Sequence, residues 1–334
     1  MLVTPPDGSG GASLPTRPYL RPWYALVADG DRLLLEFAGT VVAMEGAALK
    51  RLVPALLPLL DGSRTYEQIV ADLGPAAEPA IAKALALLAS HGALTDGPSL
   101  AQEPHPFRRS AEALAAARRD GPSPAAVLAR LRSSCVAVAG DAALAEDVAR
   151  SLLAAGVGAV RSVAWDSVAL DGVCDMAVAV AAAGELPALR AWSRNRIEDG
   201  VCWLALPPFD GRLAPVGPLV VPGETACFEC YELRRAANSD CRDELRSVEC
   251  GAVPARSAAP VDALVAATAA IVVLRRLAGL DLVTPGAFYA LELSMPLSLT
   301  LHRILRVPRC PACSPIATSA APLPWFKVVS ADAA

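Results

Sequence analysis

The chain has 334 residues, enough for about two domains. Its composition is 54% hydrophobic and 19% charged, which excludes a disordered protein, and a formal net charge of −4 leaves no basic field to draw nucleic acid or an anionic membrane. The three histidines, His91, His105 and His302, lie too far apart in sequence to suggest a histidine metal site.

Residues 1–16 are rich in Pro, Gly and Ser, with neither the basic nor the apolar region of a signal peptide, and are expected to form a disordered tail. Trp23–Val27, Leu33–Phe37 and Thr40–Met44 read as three strands, broken at Asp29-Gly-Asp31 and Ala38-Gly39. Ala47–Leu60 has helical spacing (Leu49, Val53, Leu56, Leu57, Leu60), with Pro54 and Pro58 expected to kink or shorten it. Thr65–Leu73 is a second helix, with Thr65 and Gln68 at the capping-box positions. Glu78–His91 is a third, with Ile81, Leu85 and Leu88 on one stripe and Gly92 as the stop. Three strands and three helices within residues 17–98 predict a small winged-helix module. Lys83 is the one lysine or arginine on its third helix, which argues against DNA reading. Residues 99–133 read as a linker, with prolines at 104, 106, 122 and 124 and a helical piece near Ser110–Arg119.

The second domain is expected over residues 134–318, followed by a tail, 319–334. Cys135–Asp141 is an apolar strand, Leu144–Ala155 a helix and Val160–Trp165 the next strand. This βαβ unit predicts a parallel sheet, so the fold class is α/β with a Rossmann-like second domain. Cys174–Ala181 and Cys202–Ala205 extend the sheet, with helix Glu185–Arg196 between them; Leu219–Val221 follows. Pro260–Leu277 is an apolar helix whose stretch Val261–Leu274 is expected in the domain core or in a homodimer interface, and Tyr289–Leu293 with Ser298–Leu301 is a hairpin. The uncharged run Ala263–Leu274 is too short for a bilayer core of about 30 Å, so a soluble, cytoplasmic protein with no membrane partner is expected.

Nine cysteines without an export signal do not read as a disulfide framework. Cys227-Phe-Glu-Cys230 and Cys310-Pro-Ala-Cys313 are two C-x-x-C knuckles flanked by turn residues, and together they can close a tetrahedral Cys₄ shell around a structural zinc. Four unconnected thiols, or a thioredoxin-like redox pair, are the other readings of the same spacing. Cys135, Cys174 and Cys202 lie in apolar runs and read as small core residues. Cys241 and Cys250 sit in a polar stretch with no base nearby, and no catalytic residue is assigned.

The βαβ start, the run Gly217-Pro-Leu-Val-Val-Pro-Gly223, then Thr225, Cys227-Phe-Glu-Cys230 and a terminal Cys310-Pro-Ala-Cys313 resemble the ThiF-like, ubiquitin-activating-enzyme-like proteins of azole-forming peptide natural-product clusters. The first module, through Val41-Val42-Ala-Met-Glu-Gly46, Leu60-Asp-Gly62 and Leu87-Leu88, is similar to PqqD-like leader-peptide recognition elements. The resemblance implies a protein that binds the leader of a ribosomal precursor peptide. It would deliver the core to a separate YcaO-type cyclodehydratase, which uses ATP to form azolines from Cys, Ser and Thr in a thiazole-, oxazole- or thiopeptide-type product. It also implies that the leader adds as a strand along Thr40, Val41, Val42, Ala43 and Met44. The groove wall would come from Ile81, Lys83, Ala84, Leu85, Leu87 and Leu88, with Lys83 facing an acidic leader side chain.

The chain departs from the adenylating members of that family. A phosphate turn needs glycines, whereas Ala139-Gly140-Asp141-Ala142-Ala143-Leu144 has one, and Asp141 adds a negative charge. Trp165-Asp166-Ser-Val168 lacks a paired aspartate, and Leu170-Asp-Gly172 replaces the family's Asn-x-x-Arg-Gln. No ATP binding is therefore expected. The alternative is an ATP-dependent activating enzyme that adenylates a carboxylate, with a thioester on Cys241 or Cys250.

Overall fold

The computed structural model describes residues 14–29, 32–37, 39–45, 47–118, 121–140, 143–167, 170, 172–241, 244, 257–280, 285–293 and 296–314; within them the side chains at 28, 37, 40, 42 and 47–50 are outside the description. The chain divides into two compact units. The first holds the residues up to Ser133 with Ala154–Gly158 and Leu274–Leu280; the second holds Ser134–Leu153, Ala159–Val273 and the residues from 281 on.

The first unit begins with β1 (Pro18–Leu20). The strands β2 (Ala25–Asp29), β3 (Arg32–Phe37) and β4 (Thr40–Glu45) form an antiparallel sheet in the order β2-β3-β4. Helix α1 (Ala47–Leu56) contains Pro54 and stops before Pro58, which sits in a 3-10 turn, Leu57–Leu59; this is the shortening expected from two prolines. Helix α2 (Tyr66–Leu73) has the expected capping box: Gln68 N–H donates to Thr65 Oγ1, and Thr65 N–H donates to Gln68 Oε1 at 2.9 Å. Helix α3 (Glu78–Ser90) turns Ile81, Ala84, Leu85 and Leu88 into a core with Leu35, Met44, Leu56, Leu60 and Ile69.

Two short strands escape the sequence reading. Leu94–Asp96 (β5) pairs antiparallel with β1, Tyr19 facing Thr95. The stretch read as a linker carries helices α4 (His105–Ala116) and α5 (Pro124–Ser133), which bury Ala111, Leu114, Ala115, Val127, Leu128 and Leu131. Buried Glu112 of α4 accepts a 2.5 Å hydrogen bond from Tyr19 Oη, and Arg21 donates to the carbonyl of Ala115. The packing of these two helices explains why their polar faces alone looked like linker. Burial and the Glu112 carboxylate both push the Tyr19 phenol upward.

The second unit is a five-stranded sheet in the order β11-β9-β8-β6-β7. It comprises β6 (Cys135–Ala139), β7 (Ala159–Val163), β8 (Met176–Val180) and β9 (Trp203–Leu206), all parallel, closed by antiparallel β11 (Leu219–Val220). Every residue of β8 and β9 is buried, as parallel strands covered on both faces require. Helices α6 (Ala143–Ala154) and α7 (Leu186–Asn195) are its crossovers. A second sheet, in the order β10-β12-β13, joins β10 (Leu213–Val216) to the hairpin β12 (Ala287–Glu292) and β13 (Ser298–Arg303). Helix α8 (Phe228–Ala237) starts within the first knuckle and includes Cys230, and α9 (Ala259–Leu277) buries Val261, Val265, Ala269 and Val273 while Leu264 and Ile271 stay exposed. Among the described residues no helix is long and apolar enough to cross a membrane.

Candidate functional site

The run from Gly217 to Cys227 leaves the second sheet at β10, passes through β11 of the five-stranded sheet and ends at the start of α8. Gly217 N–H donates to Ala205 O, Ala205 N–H to Pro218 O, and Gly286 N–H to Leu219 O. At Gly217, φ is +127° and a Cβ would stand 2.6 Å from that of Phe288, so glycine is required there by close approach of β12. Thr225 then closes the turn, its Oγ1 accepting from Val221 N–H at 2.9 Å. The motif is thus a structural one: it carries Cys227 to the N-cap of α8.

All four knuckle cysteines come together. The Sγ atoms of Cys227, Cys230, Cys310 and Cys313 lie within 4.8 Å of one another, with contacts of 3.8, 3.6 and 3.5 Å for 227–230, 227–310 and 230–313. A ZnS₄ tetrahedron with Zn–S near 2.3 Å has edges of about 3.8 Å. A disulfide needs about 2.05 Å, so the spacing fits a shared cation and not a pair of bridges. Cys227, Cys230 and Cys310 are buried, Cys313 half-buried. Val307 N–H donates to Cys230 Sγ at 3.3 Å, and Arg306 bridges the carbonyls of Gly223 and Cys313 at 2.8 and 2.9 Å, tying one knuckle to the other. The hydrogen bond from Cys227 holds the Cys230 thiol down to about 5, while the same bond and burial push Cys227 up. Burial also pushes Cys310 up, to about 11. Four thiols this close cannot all ionise alone; a divalent cation removes that conflict, and the donor set suits zinc.

The sheet's switch point lies between β6 and β8, the place where open α/β sheets hold ligands. There Gly140 has φ +109°, and a Cβ on it would meet Val180 O at 2.1 Å and Trp165 Cζ2 at 3.4 Å. Trp165 stands edge-on to Trp192 of α7, with ring centroids 6.0 Å apart. Its loop is pinned by Arg196, 2% exposed, which donates to Ser167 O at 2.7 Å and pairs with Asp199 at 2.6 Å; Asp199 also accepts from Leu170 N–H. Asp166 is exposed, and Asp141 lies outside the described residues, as does Cys250; Cys241 is exposed. Replacing Asp199 by Ala removes the carboxylate that faces the buried Arg196 charge at 2.6 Å. A loss of about 3–5 kcal/mol in urea unfolding is expected, and a change below about 1 kcal/mol would contradict this pairing.

In the first unit β4 ends its sheet, and among the described residues no strand pairs with its outer side. Val41 and Ala43 are half-buried; Met44 is in the core; the side chains of Thr40 and Val42 are outside the description. The expected wall on α3 divides. Ile81, Ala84, Leu85 and Leu88 are core, Leu87 is half-buried and Lys83 is exposed.

No family model and no curated protein matches the sequence. Among solved structures, the heterocyclase TruD aligns with a TM-score of 0.67 at 22% identity, over 90% of this chain and 43% of its own. A heterocyclase solved in complex with substrate and cofactor gives 0.65 at 23% identity, over 89% of this chain and 39% of that one. Escherichia coli MccB, solved with MccA, gives 0.59 at 16% identity over 89% and 99%. The likeness is one of fold, and the chain spans less than half the length of these two heterocyclases.

Sequence reasoning missed α8, β10 and the ion pairs that join α7 to α8, Arg190–Glu232 at 2.7 Å and Arg194–Glu229 at 3.5 Å. Phe228 and Tyr231 on one stripe, with Arg234 and Arg235 in the last turn, were the available helix signal.

Proposed function

We propose that this chain captures the leader of a ribosomally made precursor peptide along β4 and presents its core to a separate YcaO-type cyclodehydratase, with a zinc-stapled second unit as scaffold. The observation that carries this reading is the heterocyclase fold: it covers 90% of this chain but 43% of TruD, so more than half of that heterocyclase has no counterpart in these residues. In our reading a separate cyclodehydratase supplies the ATP-dependent step. The edge of β4, which no strand pairs among the described residues, with half-buried Val41 and Ala43 in it and with exposed Lys83 and half-buried Leu87 on α3, supports strand addition by a peptide. The Cys₄ shell has no open position for water, which supports a structural role for its zinc.

A second reading, the ATP-dependent activating enzyme, is favoured by the likeness to MccB, which spans 99% of the MccB chain in a structure solved with ATP at 14% identity. Against it stands the switch point, with a single glycine in the described part of the turn and the Trp165 ring packed beside it. Calorimetric titration with magnesium and ATP separates the two. The scaffold reading predicts no saturable binding by this chain alone, and loss of water from the precursor only when the cyclodehydratase is added. Micromolar, magnesium-dependent ATP binding by this chain would replace it with the activating-enzyme reading.

A further inference from the structure

A cleft of about 580 Å³ opens between α8 and the β12–β13 hairpin, apart from the features used above. Strand register decides its floor. Phe288 of β12 stands opposite His302 of β13, and Leu213 of β10 shares their face. The two rings stack with centroids 5.2 Å apart, and Tyr231 of α8 meets Phe288 edge-on. Ile304 completes the apolar lining. Arg303 alternates to the opposite face with Leu299 and Leu301, and Arg235 has an interaction of its own, so neither guanidinium is taken as a binding group.

One positive charge remains on the wall. Arg234, exposed on α8, donates through Nε to Leu305 O at 2.5 Å and through Nη2 to Arg306 O at 3.2 Å, and among the described residues it makes no ion pair. Carbonyl groups orient a guanidinium without neutralising it, and Nη1 keeps its donors. The acids of α8 are engaged elsewhere, Glu232 with Arg190 and Glu229 with Arg194 of α7, and no carboxylate lines the cleft. His302 adds a second polar atom. Its Nε2 meets Thr300 Oγ1 at 2.9 Å, while its Nδ1 has no hydrogen bond among the described residues.

We infer that this cleft binds a small monocarboxylate with an aromatic or branched apolar body. The carboxylate pairs with Arg234 and accepts a hydrogen bond from His302 Nδ1, and the body packs on Phe288, Leu213 and Ile304. Size and lining choose the occupant: small-molecule pockets span about 300–1,000 Å³ and join a mostly apolar surface to a few polar groups. Charge narrows it further. One unneutralised cation matches one negative charge, whereas a phosphate dianion would bring a second charge to apolar walls with nothing to pair it. This site goes beyond leader capture at β4 and does not depend on it.

The test is isothermal titration calorimetry of the full chain with N-acetyl-L-phenylalanine. Saturable binding with Kd on the order of 100 µM, weakening with salt, is expected. Two analogues separate charge from body. The amide of the same compound lacks the charge and N-acetylglycine lacks the body, and each is expected to bind at least about tenfold more weakly. Ala237→Trp, at an exposed position lining the cleft, is expected to block it, and Arg161→Gln, exposed on β7, to leave it unchanged. Arg234→Gln is expected to weaken binding at least about tenfold; the analogues and Ala237→Trp decide the matter even where that variant loosens the tie to Leu305 and Arg306. Failure to saturate, equal binding of the amide or of N-acetylglycine, unchanged binding by Ala237→Trp, or displacement by inorganic phosphate at concentrations near the ligand's own Kd would each overturn the inference. Failure of leader binding at β4 would leave these results untouched.

Discussion

Replacing Cys310 by Ser is expected to abolish the zinc binding we propose for the Cys₄ shell and to unfold the second unit. Cys310 is buried, and its Sγ lies 3.6 Å from that of Cys227. Removing it leaves three thiolates around a cation that needs four. The shell joins residues 83 apart in sequence, Cys227 to Cys310 and Cys230 to Cys313, and with the Arg306 and Val307 hydrogen bonds it ties the turn after Ile304 to the start of α8. Structural zinc in such shells contributes on the order of 10 kcal/mol of folding free energy, comparable to the whole stability of a domain. The core on this side, Phe228, Tyr231, Ile304 and the cysteines themselves, cannot replace that amount. The check is metal content by elemental analysis beside a thermal melt, with Cys241→Ser as control, since Cys241 is exposed and outside the shell. One zinc per chain in the parent, none in Cys310→Ser, and a collapsed melt in that variant alone are expected. Equal melting with and without a chelator would show that the four thiols are not a zinc site.

How much of this was legible in the sequence depends on what each element owes to its neighbours. The Cys₄ cluster was readable because C-x-x-C spacing places two sulfurs on one tetrahedral edge whatever surrounds them. The parallel sheet was readable from continuous apolar strands such as Met176–Val180. The capping box at Thr65 was readable because its donors and acceptors lie within four residues. By contrast, β1 and β5 have three residues each and exist through pairing across 78 positions, Pro18 with Asp96, which no local pattern carries. Helices α4 and α5 read as linker because their prolines and arginines are local signals, while the burial of Leu114, Val127 and Leu131 is a tertiary one. On α3, sequence periodicity marks the apolar stripe but cannot divide core from groove. The structure assigns Leu85 and Leu88 to the core and leaves Leu87 and Lys83 near the surface.

That division also selects the variants for the second large effect, loss of leader binding. A charge at Leu85 would test folding, because Leu85 is fully buried. Leu87→Asp and Lys83→Glu change a half-buried and an exposed position of α3 instead. Strand addition draws affinity from main-chain hydrogen bonds and specificity from the side chains it passes, so an acid in the apolar wall and a reversed charge beside it both oppose an acidic leader. Each is expected to weaken binding at least about tenfold, or about 1.4 kcal/mol, and the pair about a hundredfold.

The most direct measurement is fluorescence anisotropy of the labelled leader half of a precursor encoded beside this chain, titrated with the full protein and with the Leu87→Asp, Lys83→Glu double variant. Micromolar or tighter binding to the parent, lost in a double variant that still melts cooperatively, is the predicted result. No binding to the parent, or equal binding to both, would contradict leader capture on this face.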